Sequence, residues 1–242
     1  MVGVKYIASV SWGKDSTAMV LKLLEEEMPL DEVIFYDTGM EFKCIYKVRD
    51  MILPLLEKRN IKYIELKPDN DFLFDMLVRP KVKRKTKEIA YGDEWCGKCR
   101  WQTFIKQRKC NQYTGTNNIV YVGIAHDEPR RLSNLDTYKR APLDDFKMTE
   151  KDCLEYCHNH GIYWEEDGIE LYDILDRVSC WMCQNKNLKE LKNMYLYLPK
   201  YWLMLRGLQS RIDIPFKGEG KSIFELEERF KREIELEKGG EK

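Results

Sequence analysis

Apolar positions along the chain alternate between two spacings. Residues 4–10 form a short, partly β-branched run that predicts a buried strand. Over residues 17–27 the spacing becomes helical, with Val20, Leu21, Leu24 and Met28 on one face. Residues 33–36 repeat the strand pattern. Residues 40–58 repeat the helical one through Ile45, Val48, Met51, Ile52 and Leu55, with Pro54 expected to kink that helix or split it in two. Further strands are expected at 63–66 and 119–124. This alternation predicts an α/β fold, a parallel sheet with helices on both faces, in which ligands collect at the carboxyl ends of strands.

The second half reads differently. Residues 80–94 carry Lys81, Lys83, Arg84, Lys85 and Lys87 and read as a loop: a solvated one, a flap over an anionic substrate, or a contact to a nucleic-acid backbone. Thr149 with Asp152 predicts a capped helix start, and Gly161 after His160 predicts its stop. After Cys183 the chain becomes helical and aromatic, through Leu188, Leu191, Met194, Tyr195, Leu198, Tyr201, Trp202 and Leu205. A charged amphipathic helix over 223–238 follows, with Ser222 as its expected cap. The expected division is an α/β domain over 1–165 and a helical C-terminal extension over 166–242.

Composition narrows the function classes. Lysines plus arginines equal aspartates plus glutamates, 41 of each in 242 residues, so whole-molecule attraction to nucleic acid or acidic membranes is not indicated. No run is long enough to span a bilayer, and the chain enters its first strand without a signal-like stretch, so a cytoplasmic location is expected and no membrane partner. There the eight cysteines stay reduced, and clustered ones read as metal ligands.

Two clusters carry chemistry. Ser11-Trp12-Gly13-Lys14-Asp15-Ser16 lies between the first strand and the first helix. Free amides at a helix start, the helix dipole, a glycine, two hydroxyls and an ammonium together suit phosphate. The plainer reading is a turn in which Asp15 or Ser16 caps the helix. Cys96-Gly97-Lys98-Cys99 and Cys180-Trp181-Met182-Cys183 supply four thiolates, a set that fits Zn²⁺ or a [4Fe–4S] cluster. Cys153 and Cys157 share a helix face one turn apart and, with Cys44 and Cys110, read as packing residues. His158 and His160 read as capping or surface residues.

These motifs, in this order, resemble a known family. Ser11 to Ser16 is similar to the PP-loop. Asp37-Thr38-Gly39-Met40-Glu41-Phe42, Trp95-Cys96, the segment from Gly123 to Arg131, the Pro142-Leu143 and Thr149-Glu150-Lys151-Asp152 pattern through His160-Gly161, and Arg177 to Cys183 resemble successive motifs of the phosphoadenosine phosphosulfate (PAPS) reductase branch of the PP-loop ATP pyrophosphatase superfamily. The resemblance implies an adenine nucleotide alpha-hydrolase-like fold. It also implies ATP, PAPS or adenylyl sulfate as ligand, with the α-phosphate as reacting centre. Iron–sulfur members of the branch pair two cysteines with a distant Cys-x-x-Cys, which favours [4Fe–4S] here over zinc. The first pair departs from their adjacent cysteines, and Ser179 stands where glycine is usual.

Two further departures set the expected reaction. The PP-loop is intact, whereas PAPS reductases tend to degrade it, and no cysteine follows Cys183 to take up sulfite. The expectation is therefore cleavage of ATP to AMP and pyrophosphate to activate a substrate, in sulfur transfer. Ser11, Gly13, Lys14 and Ser16 would hold the β- and γ-phosphates. Asp15 would cap the helix or hold Mg²⁺, and Trp12 would pack over the nucleotide or cover the sheet end. Asp37, Thr38 and Gly39 would line the adenosine, with Gly123 at the next strand end. Arg130 and Arg131, with Arg140, would stabilise the reacting charge. Cys96, Cys99, Cys180 and Cys183 would hold the metal. Partners left open are a sulfur- or electron-donor protein and a nucleic-acid substrate, and the oligomeric state is open too. The rivals are thiol-dependent PAPS or adenylyl sulfate reduction, a non-catalytic nucleotide- and nucleic-acid-binding module, and a zinc-stapled structural protein.

Overall fold

The computed structural model describes residues 3–92 and 105–239. They divide into two compact units: the first comprises residues 3–37, Glu41–Lys67 and Ile105–Glu165, the second Thr38–Met40, 68–92 and 166–239.

The first unit is built on five parallel strands: β1 (Tyr6–Val10), β2 (Glu32–Tyr36), β3 (Lys62–Leu66) and, after two strands that belong to the second unit, β4 (Pro80–Val82) and β5 (Ile89–Tyr91), β6 (Ile119–Val122) and β7 (Lys139–Arg140). Their order across the sheet is β3-β2-β1-β6-β7. Every residue of β2 is buried, as expected of a strand covered on both faces. Helices flank the sheet, α1 (Lys14–Glu25) against β1, α2 (Lys43–Lys58) against β3 and α3 (Ile105–Thr114) against β2. With right-handed crossovers, α1 and α2 fall on one face and α3 on the other. The chain winds outward from β1 through β2 to β3, then returns to β6 on β1's other side. The carboxyl ends of β1 and β6 thus flank the switch point, where open α/β sheets bind ligands.

Two short helices, α4 (Pro129–Leu132) and α5 (Pro142–Asp145), precede α6 (Glu150–Asn159), which packs along α1. The expected cap of α6 is complete. Thr149 Oγ1 accepts from the Asp152 amide and Asp152 accepts from the Thr149 amide. Gly161 follows at φ +73°. Cys153 and Cys157 are buried between neighbours, and burial raises both thiol pKa values, that of Cys157 to about 12.

Two local expectations need correction. Of the kink or split expected at Pro54, the split does not occur: α2 runs unbroken from Lys43 to Lys58. Pro54 is exposed, so the carbonyl it leaves without a partner faces water, while the buried face through Ile45, Val48, Ile52 and Leu56 continues past it. The basic segment is not a loop throughout. In the second unit it forms an antiparallel hairpin, β4 (Pro80–Val82) with β5 (Ile89–Tyr91), rising from a π-helical turn at Phe74–Val78. Proline and the dense lysines hide the strand alternation there.

The second unit continues through α7 (Leu171–Ile174), α8 (Leu188–Tyr197), α9 (Pro199–Gln209) and α10 (Ile223–Gly239). Trp202, Tyr195 and Phe230 meet ring to ring among the last three, so the aromatic stripe is core packing. Ser222 caps α10, accepting from the Glu225 amide while Glu225 accepts from the Ser222 amide. No helix among the described residues is long and apolar enough to cross a membrane.

Candidate functional site

The Ser11–Ser16 segment connects β1 to α1 at the switch point. Its helix begins earlier than the sequence pattern suggested, at Lys14, with Gly13 as N-cap. Asp15 and Ser16 therefore lie inside the first turn and neither caps it; Gly13 has no side chain to offer. The first intrahelical bond runs from the Thr17 amide to the Gly13 carbonyl, 3.0 Å. The amides ahead of it sit at the positive end of the helix dipole. Ser16 Oγ accepts from the Ser11 amide at 3.1 Å and donates to the Gly13 carbonyl at 3.2 Å, which folds the loop back onto its own helix.

Trp12 has φ +58°, a left-handed backbone uncommon for a bulky residue. Its carbonyl accepts from Trp164 Nε1 at 2.8 Å. The ring is fully buried, tilted against Phe35 and Tyr63. Of the two roles considered for it, the geometry has the ring covering the sheet.

Lys14 is 8% exposed. Its Nζ donates to Asp15 Oδ1 at 2.9 Å and to Glu150 Oε2 at 2.6 Å. Burial works against the ammonium, but the two carboxylates outweigh it and hold the Lys14 pKa above its ordinary value. Burial also raises the Asp15 carboxyl; Lys14 opposes this, and the negative charges of Glu150 and Glu128 add to it. Glu150 is fixed by its place in the first turn of α6, where its amide donates to Asp127 Oδ1 at 3.0 Å. On the same helix, Cys157 Sγ reaches the Lys14 carbonyl at 3.6 Å. Glu150 and Asp127 are residues of this cluster that sequence reasoning did not single out. Both lay inside quoted motifs, but nothing in the chain order reveals which cation Glu150 meets.

Gly123, just past β6, closes the other side. A Cβ there would come 2.7 Å from Ser16 Cα and 2.8 Å from Ser16 N. The strand end thus packs against the helix start more closely than any side chain allows.

Other expected residues have local partners. Asp37 accepts from the Tyr46 hydroxyl at 2.7 Å. Arg130 and Arg131 are exposed on α4; Arg131 Nη1 donates to both oxygens of Glu128, at 2.8 and 2.6 Å. Arg140 donates to the carbonyls of Thr137 and Lys139. The first unit therefore brings together Ser11, Gly13, Lys14, Asp15, Ser16 and Gly123, with Glu150 added.

Within the second unit, Thr38–Met40 lies against the second cysteine pair. Thr38 Oγ1 accepts from the Met40 amide at 3.1 Å and stands 4.0 Å from Cys180 Sγ. The Trp181 amide donates to the Met40 carbonyl at 3.0 Å, and Gly39 takes φ +72°. Cys180 is buried and Cys183 half-buried. The Cys183 amide donates to the Cys180 carbonyl at 3.2 Å, a tight turn of the kind Cys-x-x-Cys ligand pairs adopt. Cys96 and Cys99 lie outside the described residues.

These donor sets can be tested against the groups the sequence implies. A dipole-facing loop with a buried ammonium fits a polyphosphate. The Cys180–Cys183 turn fits half of a four-thiolate set. Mg²⁺ finds no cage: among the described residues no group of three or more His, Cys, Asp or Glu converges on a metal position, and Asp15 is engaged by Lys14. Any magnesium would have to be held largely by substrate phosphates and water.

Residues 5–186 match the phosphoadenosine phosphosulfate reductase domain. No curated protein matches the chain. Among solved structures 17 chains match. One is described as the U34-tRNA thiolase NcsA from Methanococcus maripaludis with its [4Fe-4S] cluster, 14% identical, with 96% of this chain and 73% of that chain covered at a TM-score of 0.46. With three-quarters of its length matched, and with the parallel sheet and switch-point loop described above, this chain belongs to the phosphoadenosine phosphosulfate reductase domain family.

Proposed function

We propose that this protein binds ATP at the Ser11–Ser16 loop and cleaves it to AMP and pyrophosphate, activating an acceptor for sulfur transfer. The observation that carries the reading is Lys14: a buried ammonium at the start of α1, beside an N-cap without a side chain and opposite Gly123. A ligand without a pyrophosphate tail has little use for that arrangement.

In this reading the first-turn amides and Lys14 hold the β- and γ-phosphates. Lys14 then exchanges a carboxylate for phosphate oxygen, and Glu150 is the partner it releases, because Asp15 is adjacent on the same turn. Ser11 and Ser16 keep the loop in shape, and Trp12 anchors it from below. An acceptor oxygen attacks the α-phosphorus, the bond from that phosphorus to the β-phosphate bridging oxygen breaks, and pyrophosphate leaves. A sulfur nucleophile then displaces AMP from the adenylated acceptor. Arg130 and Arg131 are the cations proposed to meet the developing charge, Arg131 after parting from Glu128. Asp37, Thr38 and Gly39 are proposed to line the adenosine. Cys180 and Cys183, with Cys96 and Cys99, would hold a [4Fe–4S] cluster or zinc; an iron–sulfur cluster supplies a site where sulfur can be bound and released.

The test is product analysis. Anaerobically purified protein with Mg-ATP and candidate acceptors should yield AMP and pyrophosphate, and Lys14→Ala should abolish both. Sulfite release from PAPS or adenylyl sulfate, thiol-dependent and without ATP, would overturn the proposal in favour of the reductase chemistry for which the family is named.

A further inference from the structure

Charge in this chain is balanced overall but not locally. Between residues 80 and 91 stand five cations, Lys81, Lys83, Arg84, Lys85 and Lys87, against the single anion Glu88. The hairpin holds them out. Every residue from 80 to 89 is exposed. Lys83 pairs loosely with Glu88 at 3.6 Å, while Arg84, Lys85 and Lys87 make no ion pair among the described residues.

The strand register adds a second feature. Pro80 pairs with Tyr91 and Val82 with Ile89, so these four side chains share one side of the ribbon, while Lys81 and Ala90 take the other. That side is wet: Val82 is 63% exposed, Ile89 64% and Tyr91 61%. A merely solvated basic loop has no reason to display an apolar and aromatic face. The base is fixed, since Gly92 at φ +70° lies against the backbone of Met76, where a Cβ could not fit, and its amide donates to the Arg79 carbonyl at 2.8 Å. The hairpin is thus a two-stranded arm with a stacking face along its length and cations at its tip.

We propose that this hairpin docks a single-stranded RNA segment. Cations that meet successive phosphates, beside an aromatic that can take a base, are the combination that binds unpaired strands. RNA is the unpaired polymer whose loops present splayed bases to such a surface. An acidic polypeptide would satisfy the tip but leave Val82, Ile89 and Tyr91 in water. The docking goes beyond ATP cleavage and does not depend on it.

The experiment is fluorescence anisotropy of the full-length protein with labelled oligouridylate across a salt series. The wild type should bind, and its affinity should fall steeply between about 50 and about 200 mM KCl. Lys83→Ala, Arg84→Ala, Lys85→Ala and Lys87→Ala combined should weaken binding about tenfold or more and flatten the log–log salt slope by roughly 0.7 for each phosphate that is no longer neutralised. Tyr91→Ala should weaken binding several-fold without changing that slope. The circular dichroism spectrum and thermal unfolding of the quadruple variant should match the wild type, which shows it folded. No wild-type binding at low salt, equal binding by the quadruple variant, equal or tighter binding of single-stranded DNA or of duplex RNA, or equally effective competition by polyglutamate would each overturn the proposal. Failure of ATP cleavage in every arm would count against the proposed reaction alone and leave RNA docking decided by these same readings.

Discussion

The ammonium of Lys14 lies 2.6 Å from the Glu150 carboxylate, 136 residues further along the chain. A cation placed for phosphate is thereby already neutralised, and any polyphosphate must compete with a carboxylate from the first turn of α6. Glu150→Gln keeps an oxygen for Lys14 but removes one negative charge from the neighbourhood. ATP affinity should rise by about 1 kcal/mol, roughly fivefold in Kd, measured calorimetrically with a non-hydrolysable analogue. Unchanged or weaker binding would mean that Lys14 does not change partners.

Gly123 offers a steric test. In Gly123→Ala the new methyl meets Ser16 backbone, which cannot rotate aside. Stability should fall by about 1–3 kcal/mol, with a parallel loss of ATP affinity. Gly207→Ala is the control: it lies inside α9 with nothing within 4 Å of a built Cβ, so the change should stabilise by about 0.5–1 kcal/mol. Denaturant titration of both variants checks the pair.

The thiols behind the loop predict a pH dependence. Burial raises Cys153 and Cys157 above the ordinary thiol pKa, Cys157 to about 12, with the charge of Asp15 adding to it. The folded state therefore keeps protons that the unfolded chain loses from about pH 9 upward, and stability falls as pH rises through that window. The limiting slope is about 1.4 kcal/mol per pH unit for each thiol. Unfolding free energies measured across the window should fall less steeply in the Cys153→Ala, Cys157→Ala double variant. Neither thiol should react with a maleimide at neutral pH in the folded protein.

At the other cysteines the prediction concerns metal content. Cys180→Ala and Cys183→Ala should each lose the iron and sulfide, or the zinc, of anaerobically purified protein, whereas Cys44→Ala should keep it. Elemental analysis with the visible spectrum decides which metal. Full metal content in Cys180→Ala would remove this pair from the ligand set.

Thr149→Ala tests how far α6 supports the loop. Losing the cap should cost about 1 kcal/mol of stability. Because Glu150 is the next residue, ATP affinity should move as well; a stability loss with affinity unmoved would separate the cap from Lys14.

How much of this was legible in the sequence follows the range of each interaction. β1, the turn at Gly13 and the periodicity of α1 are local signals, as are the caps at Thr149 and Ser222, and the pattern alone places them to within a few residues. The parallel sheet follows from the alternation. Hidden were contacts between distant positions: Glu150 on Lys14, Trp164 on the Trp12 carbonyl, and Ser16 against Gly123. Spacing also misled in two places. Pro54 suggested a break because its burial was unknown, and the lysines of the hairpin obscured a short alternation of Val82, Ile89 and Tyr91. Asp15 and Ser16 looked like caps because the helix start could not be placed to the residue.

The hydrogen bond from Trp164 to Trp12 spans 152 residues, and the bond from Cys157 to Lys14 spans 143. During synthesis the strand, loop and helix at residues 6–25 leave the ribosome well before the indole that holds the left-handed turn at Trp12 and the carboxylate that holds Lys14, which follow 152 and 136 residues later. Contacts of such sequence separation carry the loop-closure cost that slows folding. The loop is therefore among the last parts of its unit to acquire a fixed shape, and a nascent chain cut short of Trp164 would carry the motif without the structure.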